Sequence, residues 1–387
     1  MNHLLVFLCA AVLVALGLWL PACLASFGRT ARGARLERIK KSPNHVHGSF
    51  RNQTPLPLLS EGVKRGALYA EFFFGRKRNT RPPGPLPTLK TELAKLPPDM
   101  QALVWFGHAS FFLQIGGKKI LIDPVLAGHA SPLPFVIRAY AGTRLYSPDE
   151  IPDIDYIFIT HDHWDHLDHR TVLALKNRTR RFLCGLGVGE HLEYWGVEAA
   201  KITECDWYES CELDPGFCAH ALPAQHFSGR RTKPNTSLWL SWLLESPAGR
   251  LYFGGDGGYG PHFAETGKRL GPVDLAILEN GQYDKRWKYM HMQPEESLKA
   301  AKELGAKRFF PAHSARFCIS SHPWDEPLRR ISALTRNEPL QLVCPLMGEL
   351  VDLQAPPRSF PHWWEEVAKP VTPADTGRHG QTGPDQT

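Results

Sequence analysis

The stretch Thr160–His169 reads THDHWDHLDH and holds four histidines and three aspartates within ten residues. It directly follows the apolar run Asp155–Ile159, which has the composition of a buried strand. His161 and His163 are two residues apart, so an extended backbone points both imidazoles to the same side. With the aspartate and histidine that complete H-x-H-x-D-H, the stretch offers three nitrogen donors and one carboxylate, which suit zinc. We therefore predict a metal site here rather than a solvated polar loop, which would be richer in Ser, Asn, Gly and Lys.

The composition is that of an ordinary globular protein with a distinct N-terminal end. The 387 residues are 43% hydrophobic and 22% charged, which allows one large domain or two modest ones. No charged residue occurs from Leu4 to Gly28, and Leu4–Leu20 is almost wholly apolar. We predict that residues 1–25 form a membrane anchor or the core of a signal peptide. A lipoprotein cleavage site at Leu20–Cys23 is an alternative.

The basic excess lies directly behind this apolar segment. Residues 28–81 contain thirteen Lys and Arg against three Glu, a net charge of +10, although the whole chain carries only +6. This favours a patch that binds anionic lipid headgroups at a membrane surface, with a solvated basic linker as the alternative. Because the rest of the chain is net acidic, we expect no nucleic-acid partner. The positive-inside rule predicts a cytoplasmic catalytic domain, with a periplasmic or lipoprotein location as the alternative.

By composition the rest of the chain has three further parts. Residues 26–98 form a basic, Pro-rich arm, residues 99–355 the domain that contains the H-x-H-x-D-H motif and is expected to be the catalytic domain, and residues 356–387, which are low in apolar residues, a disordered tail. No C-x-x-C pair occurs among the eight cysteines, which argues against a zinc knuckle or a dithiol redox motif.

Within the predicted catalytic domain, short apolar runs alternate with helical patterns. SFFLQI and KILID flank Gly116 and Gly117, which is a hairpin signal. Further strands are predicted at YIFIT, SLWLSWLLE, RLYFGG, DLAILE and KRFFPA, and helices at Arg170–Lys176, Pro294–Leu304 and Glu326–Thr335. The mixture predicts an α+β fold with two sheets and helices outside them.

Three more ligand-type residues follow predicted strands further along the chain. His226 lies in PAQHFSGR, Asp256 in YFGGDGGY and His313 in FFPAHSARF. Taken singly, such a His is more often a satisfied polar group, and a Gly-flanked Asp is more often a turn residue. Placed together at three strand exits, they predict further metal ligands, and the glycines around Asp256 allow close approach of the backbone.

Over most of residues 100–318 the chain resembles the metallo-β-lactamase fold hydrolases and, within them, the N-acylphosphatidylethanolamine-hydrolysing phospholipase D group. The resemblance is carried by WFGHASFF, ILIDPVL, THDHWDHLD, PAQHFSGR, NTSLWLSW, GGDGGY, YDKRW and HMQPEES. It implies an αββα sandwich with a dinuclear site along the sheet edges, to which the anchor and the basic arm are added. It also implies two zinc ions per chain, or another divalent metal, on seven side chains: His161, His163 and His226 on one ion, Asp165, His166 and His313 on the other, and Asp256 between them.

Three further residues are assigned roles on this basis. His291, in HMQPEES, is expected to contact the substrate and to be catalytic together with Asp256; a surface histidine before a helix is the alternative. His108 and Asp123 lie in motifs that resemble the family's and are expected to orient ligands, or to be structural only.

The chain departs from the family pattern at two places beside the predicted metals. After His313 the sequence SARF introduces Arg316, which becomes a further candidate for substrate binding. Gly257 follows Asp256 where a hydroxyl residue is common. Both differences bear on the identity of the substrate rather than on the metal chemistry.

The predicted function is zinc-dependent hydrolysis of an N-acylated phospholipid, releasing phosphatidic acid and an N-acylethanolamine. An anchor favours a lipid substrate, because a soluble substrate gives no reason to hold an enzyme at a bilayer. The alternatives are a lactonase or other ester hydrolase with the same metals, and a membrane-tethered zinc-binding scaffold without turnover. The expected partners are the phospholipid substrate and the membrane surface, and a homodimer is left open.

Overall fold

The computed structural model describes residues 20–367, apart from residues 22, 56, 65, 67, 69, 71–74 and 76–78. Of the predicted anchor, residues 1–25, residues 1–19 and 22 therefore lie outside the described residues. In the part that is described, no helix has both the length and the apolar character needed to cross a bilayer. The anchor stays a prediction.

The described residues form two seven-stranded sheets and one small hairpin. In chain order the strands are β1 (His45–Val46), β2 (Ser49–Phe50), β3 (Ala102–Trp105), β4 (Phe111–Ile115), β5 (Lys118–Ile122), β6 (Ile154–Phe158), β7 (Thr179–Gly185), β8 (Ile202–Cys205), β9 (Ser210–Asp214), β10 (Phe217–Leu222), β11 (Ser241–Ser246), β12 (Gly249–Phe253), β13 (Leu275–Glu279), β14 (Arg308–Ala312), β15 (Gln341–Leu342) and β16 (Leu350–Asp352). The helices used below are α1 (Gly33–Lys41), α2 (His169–Leu175), α3 (Val188–Tyr194), α4 (His262–Leu270), α5 (Pro294–Glu303), α6 (Glu326–Thr335) and α7 (Trp363–Val367).

Each sheet is antiparallel on one side and parallel on the other. The first sheet has the order β16-β3-β4-β5-β6-β7-β8, and the second has the order β15-β14-β13-β12-β11-β10-β9. Strands β5 to β8 are parallel, and so are β12 to β15. The carboxyl ends of parallel strands meet at one edge of a sheet, so polar residues that follow β5, β6, β12 and β14 are brought together.

The main core lies between the two sheets. Phe158 of the first sheet packs edge-on against Trp242 of the second, with ring centroids 5.3 Å apart. Further clusters cover the outer faces, with α2 and α3 against the first sheet and α4, α5 and α6 against the second. Two sheets that bury one face against each other and the other face against helices give an αββα sandwich. The predicted α+β fold is confirmed.

One predicted strand is shorter in the structure than in the sequence pattern. SLWLSWLLE predicts a strand from Ser237, but β11 begins at Ser241. Before that point the Leu238 and Leu240 N–H groups donate to the carbonyls of Leu186 and Thr160, which follow strands of the first sheet. The segment therefore crosses between the sheets before it joins the second, which its continuous apolar character does not reveal.

The prediction that residues 356–387 are disordered is wrong for their first part. Residues 356–367 are described and include α7, whose Trp363 and Trp364 are buried in the main core. Two tryptophans cover enough apolar surface to hold such a short segment. Residues 368–387 lie outside the described residues.

The described arm residues pack on the catalytic domain. Arg35, on α1, donates to Glu190 at 2.7 Å and to Glu204 at 2.6 Å, and Arg29 donates to Glu190 at 2.6 Å. The Glu190 carboxylate is buried, so these pairs are shielded from solvent. The interpretation of residues 28–81 as one basic patch for lipid headgroups is therefore wrong for Arg29 and Arg35.

Candidate metal centre

The predicted ligands gather at the edge where the parallel strands end. Thr160 and the H-x-H pair lie just beyond the end of β6 and are not part of the sheet. A turn then reverses the chain, and in it the N–H of Leu167 donates to the His163 carbonyl at 2.8 Å. This turn brings Asp165 and His166 back beside His161 and His163. Asp256 follows β12, and His313 directly follows β14.

Three of the histidines form what we call the open group: His161, His163 and His226. His226 Nε2 lies 3.2 Å from His163 Nδ1 and 3.8 Å from Asp256 Oδ2. His161 Nε2 lies 3.9 Å from the same Asp256 oxygen. The group is called open because His163 is only half-buried, with Phe227 packed edge-on against its ring at 4.6 Å.

The other three ligands form what we call the closed group: Asp165, His166 and His313. All three are buried. His313 Nε2 lies 3.2 Å from Asp165 Oδ2 and 3.4 Å from His166 Nε2. Asp256 reaches this group as well, with Oδ1 at 3.1 Å from His166 Nε2 and Oδ2 at 3.1 Å from His313 Nε2. The structure therefore places Asp256 between the two groups.

These donors fit a pair of divalent ions. Ligand atoms on one tetrahedral zinc, at about 2.1 Å from the metal, lie about 3.4 Å from one another, close to the separations in both groups. The ring nitrogens of His226 and His163 face each other at 3.2 Å, where two lone pairs repel unless a proton or a cation lies between them. His161 Nε2 is buried and has no hydrogen-bond partner among the described residues, as expected of a nitrogen that binds a metal.

Ionisable side chains hold the closed group from behind. His166 Nδ1 lies 2.7 Å from Asp123 Oδ2, so the ring donates there and turns the lone pair of Nε2 into the site. Burial lowers the pKa of His108 to about 3, and the neutral ring lies with Nε2 2.8 Å from Asp165 Oδ2. His108 and Asp123 thus lie in contact with two predicted ligands, and the orienting role stays a prediction.

The open group is held by neutral oxygens instead. His161 Nδ1 lies 3.0 Å from Thr160 Oγ1, and His226 Nδ1 lies 3.2 Å from the Met290 carbonyl. Thr160 Oγ1 in turn donates to Asp123 Oδ2 at 2.6 Å, which links the two groups through one hydroxyl. Both histidines therefore present Nε2 to the site, as metal ligands require.

His291 lies beside the cluster and is paired with Glu279, a residue that the sequence analysis missed. Its Nδ1 donates to Glu279 Oε1 at 2.8 Å, and its ring stacks on that of His313 with centroids 5.5 Å apart. Burial alone would lower the pKa of His291, but the Glu279 carboxylate raises it to about 9. The donor atoms of His291, Glu279, Asp256 and His313 also lie within 4.8 Å of one another, so metal content is needed to separate a substrate contact from a ligand.

Glu279 could have been found from its position. It ends the apolar strand β13, where its carboxylate also accepts from the N–H of Gly257 at 2.7 Å and of Met292 at 3.1 Å. A charged residue at the carboxyl end of an apolar strand, next to strands that end in ligands, is the same signal that Asp256 gives. The second difference from the family pattern, Gly257, thus supplies a main-chain donor to this carboxylate.

Asp162 lies between the two histidines of H-x-H and contacts Gly229, Ser237 and His191 instead of the predicted ligands. It accepts from the Gly229 N–H at 2.9 Å and from Ser237 Oγ at 2.8 Å, and His191 Nε2 lies 3.5 Å from it. In an extended segment, the residue between two inward side chains must point the opposite way. Asp162 therefore fixes the loop from behind.

Arg316 is not in the cluster, and its prediction as a substrate contact is wrong for this structure. The side chain is buried, and it donates to the carbonyls of Phe106 at 2.7 Å and Ala127 at 3.2 Å. Gly107 leaves room for the aliphatic part of the Arg316 side chain, because a Cβ on residue 107 would lie 3.1 Å from Arg316 Cβ and Cδ. Arg316 therefore ties two loops together instead of reaching the substrate.

Comparison with known proteins agrees with this geometry. The family model for the beta-lactamase superfamily domain matches residues 118–314. An uncharacterised protein of Mycobacterium tuberculosis is 36% identical over 363 residues, which cover 91% of this chain and 96% of that protein. N-acyl-phosphatidylethanolamine-hydrolyzing phospholipase D 1 of Caenorhabditis elegans is 33% identical over 227 residues, 54% of this chain and 62% of that protein.

Solved structures with low sequence identity share the fold. A possible metal-dependent hydrolase from Veillonella parvula superposes with a TM-score of 0.55 at 17% identity, covering 66% of this chain and all of that one. With the family model spanning half of the chain, and the two clustered ligand groups at the sheet edge, the chain belongs to the metallo-β-lactamase superfamily and is a metal-dependent hydrolase.

Proposed function

We propose that this hydrolase cleaves the phosphodiester bond of N-acylated phospholipids, releasing phosphatidic acid and an N-acylethanolamine. The observation that carries the proposal is the His291–Glu279 pair next to the metal ligands. A protonated imidazole at this place suits a substrate that is anionic before and during the reaction, as a phosphodiester is. The similarity to the Caenorhabditis elegans phospholipase D supports the choice of substrate class.

The metal ligands, Asp256 and His291 have different roles in the proposed reaction. Two bound divalent ions, with zinc as the expected metal, would supply a water that loses a proton near neutral pH and positive charge for a phosphoryl oxygen. Asp256 contacts both ligand groups and sets their separation. Because Glu279 occupies Nδ1 of His291, the imidazole has Nε2 left to donate to a non-bridging phosphoryl oxygen. Such charge-assisted hydrogen bonds are stronger than neutral ones.

Product analysis tests this proposal directly. The full-length, metal-loaded protein would be incubated with vesicles that contain an N-acylated phosphatidylethanolamine, and the products measured by mass spectrometry. We expect phosphatidic acid and N-acylethanolamine in equal amounts, and at least about 100-fold less of both products with an Asp256→Asn control. Turnover of lactones or simple esters without any cleavage of phosphodiesters would replace the proposal by the ester-hydrolase alternative.

The membrane part of the proposal depends on the apolar N-terminal run, which lies outside the described residues. We expect removal of residues 1–19 to lower turnover on vesicles while leaving turnover of a soluble phosphodiester unchanged. Equal vesicle turnover with and without these residues would show that the segment does not bring the site to its substrate.

A further inference from the structure

The side chain of Asn52, in the N-terminal arm, pairs with the main chain of a predicted metal ligand. Its Nδ2 donates to the His226 carbonyl at 2.8 Å, and its Oδ1 accepts from the His226 N–H at 3.0 Å. The same oxygen accepts from Trp239 Nε1 at 2.9 Å. One amide therefore satisfies both main-chain groups of His226 across 174 positions of sequence.

His226 needs such a partner because it has left its sheet. Strand β10 ends at Leu222, and β11 does not begin until Ser241, so the peptide groups of His226 have no strand neighbour. The residue is nevertheless buried, where unpaired N–H and carbonyl groups are costly. The neighbouring Gln225 is held by the arm as well, since its Nε2 donates to the Thr54 carbonyl at 3.1 Å.

The beginning of the arm contacts His191 and Arg230, two residues that contact Asp162 in the H-x-H segment. The Arg29 N–H donates to His191 Nδ1 at 3.0 Å, and His191 faces Asp162, the residue between the two H-x-H histidines. Gly28 has a φ of +64°, and a Cβ there would lie 2.1 Å from His191 Nδ1, so only glycine permits this approach. The Ser26 carbonyl accepts from Arg230 Nε at 2.8 Å.

Arg230 continues this second contact into the metal loop. Its Nη1 donates to the carbonyls of Asp162 at 2.9 Å and Leu167 at 2.7 Å, which lie on either side of the D-H half of the motif. Its guanidinium lies 4.0 Å from the ring centre of Trp164. The arm thus meets the metal loop through Arg230 and His191, and meets His226 through Asn52.

We propose that the arm supports the metal centre at two places, Ser26–Arg29 and Asn52, and that Asn52 is the positioning residue for His226. Asn52 holds the peptide of His226 so that Nε2 keeps its place beside His163 and Asp256. Since the arm contacts the open group and its loop, loss of Asn52 weakens metal binding at the open group and leaves the closed group intact.

Asn52→Ala tests the proposal, with Asn44→Ala as its matched control. Asn44 is a half-buried asparagine of the same arm whose Nδ2 donates to Asp206 at 2.7 Å, away from any ligand. Metal affinity would be measured by competition with a chelator, and the ligand field by the absorption spectrum of the cobalt-substituted full-length protein. We expect a roughly 10- to 100-fold loss of affinity for one ion in Asn52→Ala, the range known for groups that orient ligands, with an altered cobalt spectrum.

The control separates positioning from general stability. Asn44→Ala is expected to keep wild-type affinity and spectrum, even if it lowers the melting temperature of the metal-free protein as much as Asn52→Ala does. Equal metal affinity in both variants would overturn the proposal.

If Asn52→Ala does not fold, Asn52→Asp is measured instead. This variant keeps the size and the acceptor but turns an oxygen toward the His226 carbonyl. Unchanged affinity and spectrum in Asn52→Asp would overturn the proposal too. These readouts do not involve a substrate, so they are independent of the phosphodiester assignment.

Discussion

The two ligand groups share Asp256 but are held differently. Asp123 and His108 support the closed group through ionisable side chains, whereas Thr160 and a main-chain carbonyl support the open group. A carboxylate behind a histidine makes the ring a more basic ligand than a neutral oxygen does. The closed group is also fully buried, while His163 is partly exposed. The comparison predicts a tightly bound ion in the closed group and a weaker, more accessible one in the open group.

Asp256→Asn should have the largest effect, because it removes the charge shared by both groups. Turnover of every substrate is expected to fall by about 100-fold or more, the scale of losing a metal-site or oxyanion contact, and metal content should fall with it. Elemental analysis and kinetics on a phosphodiester and a lactone would measure both effects. Full activity in Asp256→Asn would show that the two groups do not depend on a shared carboxylate.

His291→Ala is expected to lower turnover of phosphodiesters by about 100-fold, because one charge-assisted donor to the phosphoryl oxygens is lost. The metal content of both groups should stay at the wild-type value, and turnover of a neutral lactone should fall much less. Glu279→Gln is the companion variant, since it keeps the shape but removes the charge that keeps His291 protonated. Loss of metal in His291→Ala would make His291 a ligand, a role that its distance to His313 and Asp256 permits.

Chelator titration of the wild-type protein should release the ions in two steps, the open group first. Asp123→Asn is expected to bring the two steps together, because it lowers the affinity of the closed group by roughly 10- to 100-fold. The open group is affected only through the Thr160 hydroxyl, by about the fivefold expected for one hydrogen bond. The measurement is metal released against chelator concentration, followed by the melting temperature of the metal-free form to account for stability. A single step in the wild-type protein would contradict the difference drawn between the groups.

Thr160→Val should have the smallest effect and should act on the open group. The variant keeps the shape of the side chain but removes the hydroxyl that accepts from His161 and donates to Asp123. A net contribution of about 1 kcal/mol per hydrogen bond corresponds to a loss of affinity of about fivefold. If the first step of the chelator titration did not shift in Thr160→Val, the hydroxyl would not set the position of His161.

Long, periodic elements and local ligand patterns were predictable from sequence. The predicted helix Glu326–Thr335 matches α6, and Pro294–Leu304 differs from α5 by one residue, because caps and hydrophobic spacing are local. The hairpin at Gly116 and Gly117 is present as well, since both glycines take the positive φ that the turn requires. The start of β11 was not predictable, because an apolar segment that crosses between two sheets has the same composition as a strand within one.

The types of candidate ligand and their places at strand exits were determined by the sequence alone. Their mutual distances and the side chains that support them were decided by the tertiary structure. Histidines and aspartates at strand exits are recognisable from spacing, since a strand of period two dictates which side chains share a face. No local pattern contains the burial of Arg316, the pairing of His291 with Glu279 or the hydrogen bonds of Asn52 to the main chain of His226. Each depends on which backbone groups the packed sheets leave without partners, and a buried polar group takes whichever distant side chain the fold brings within reach.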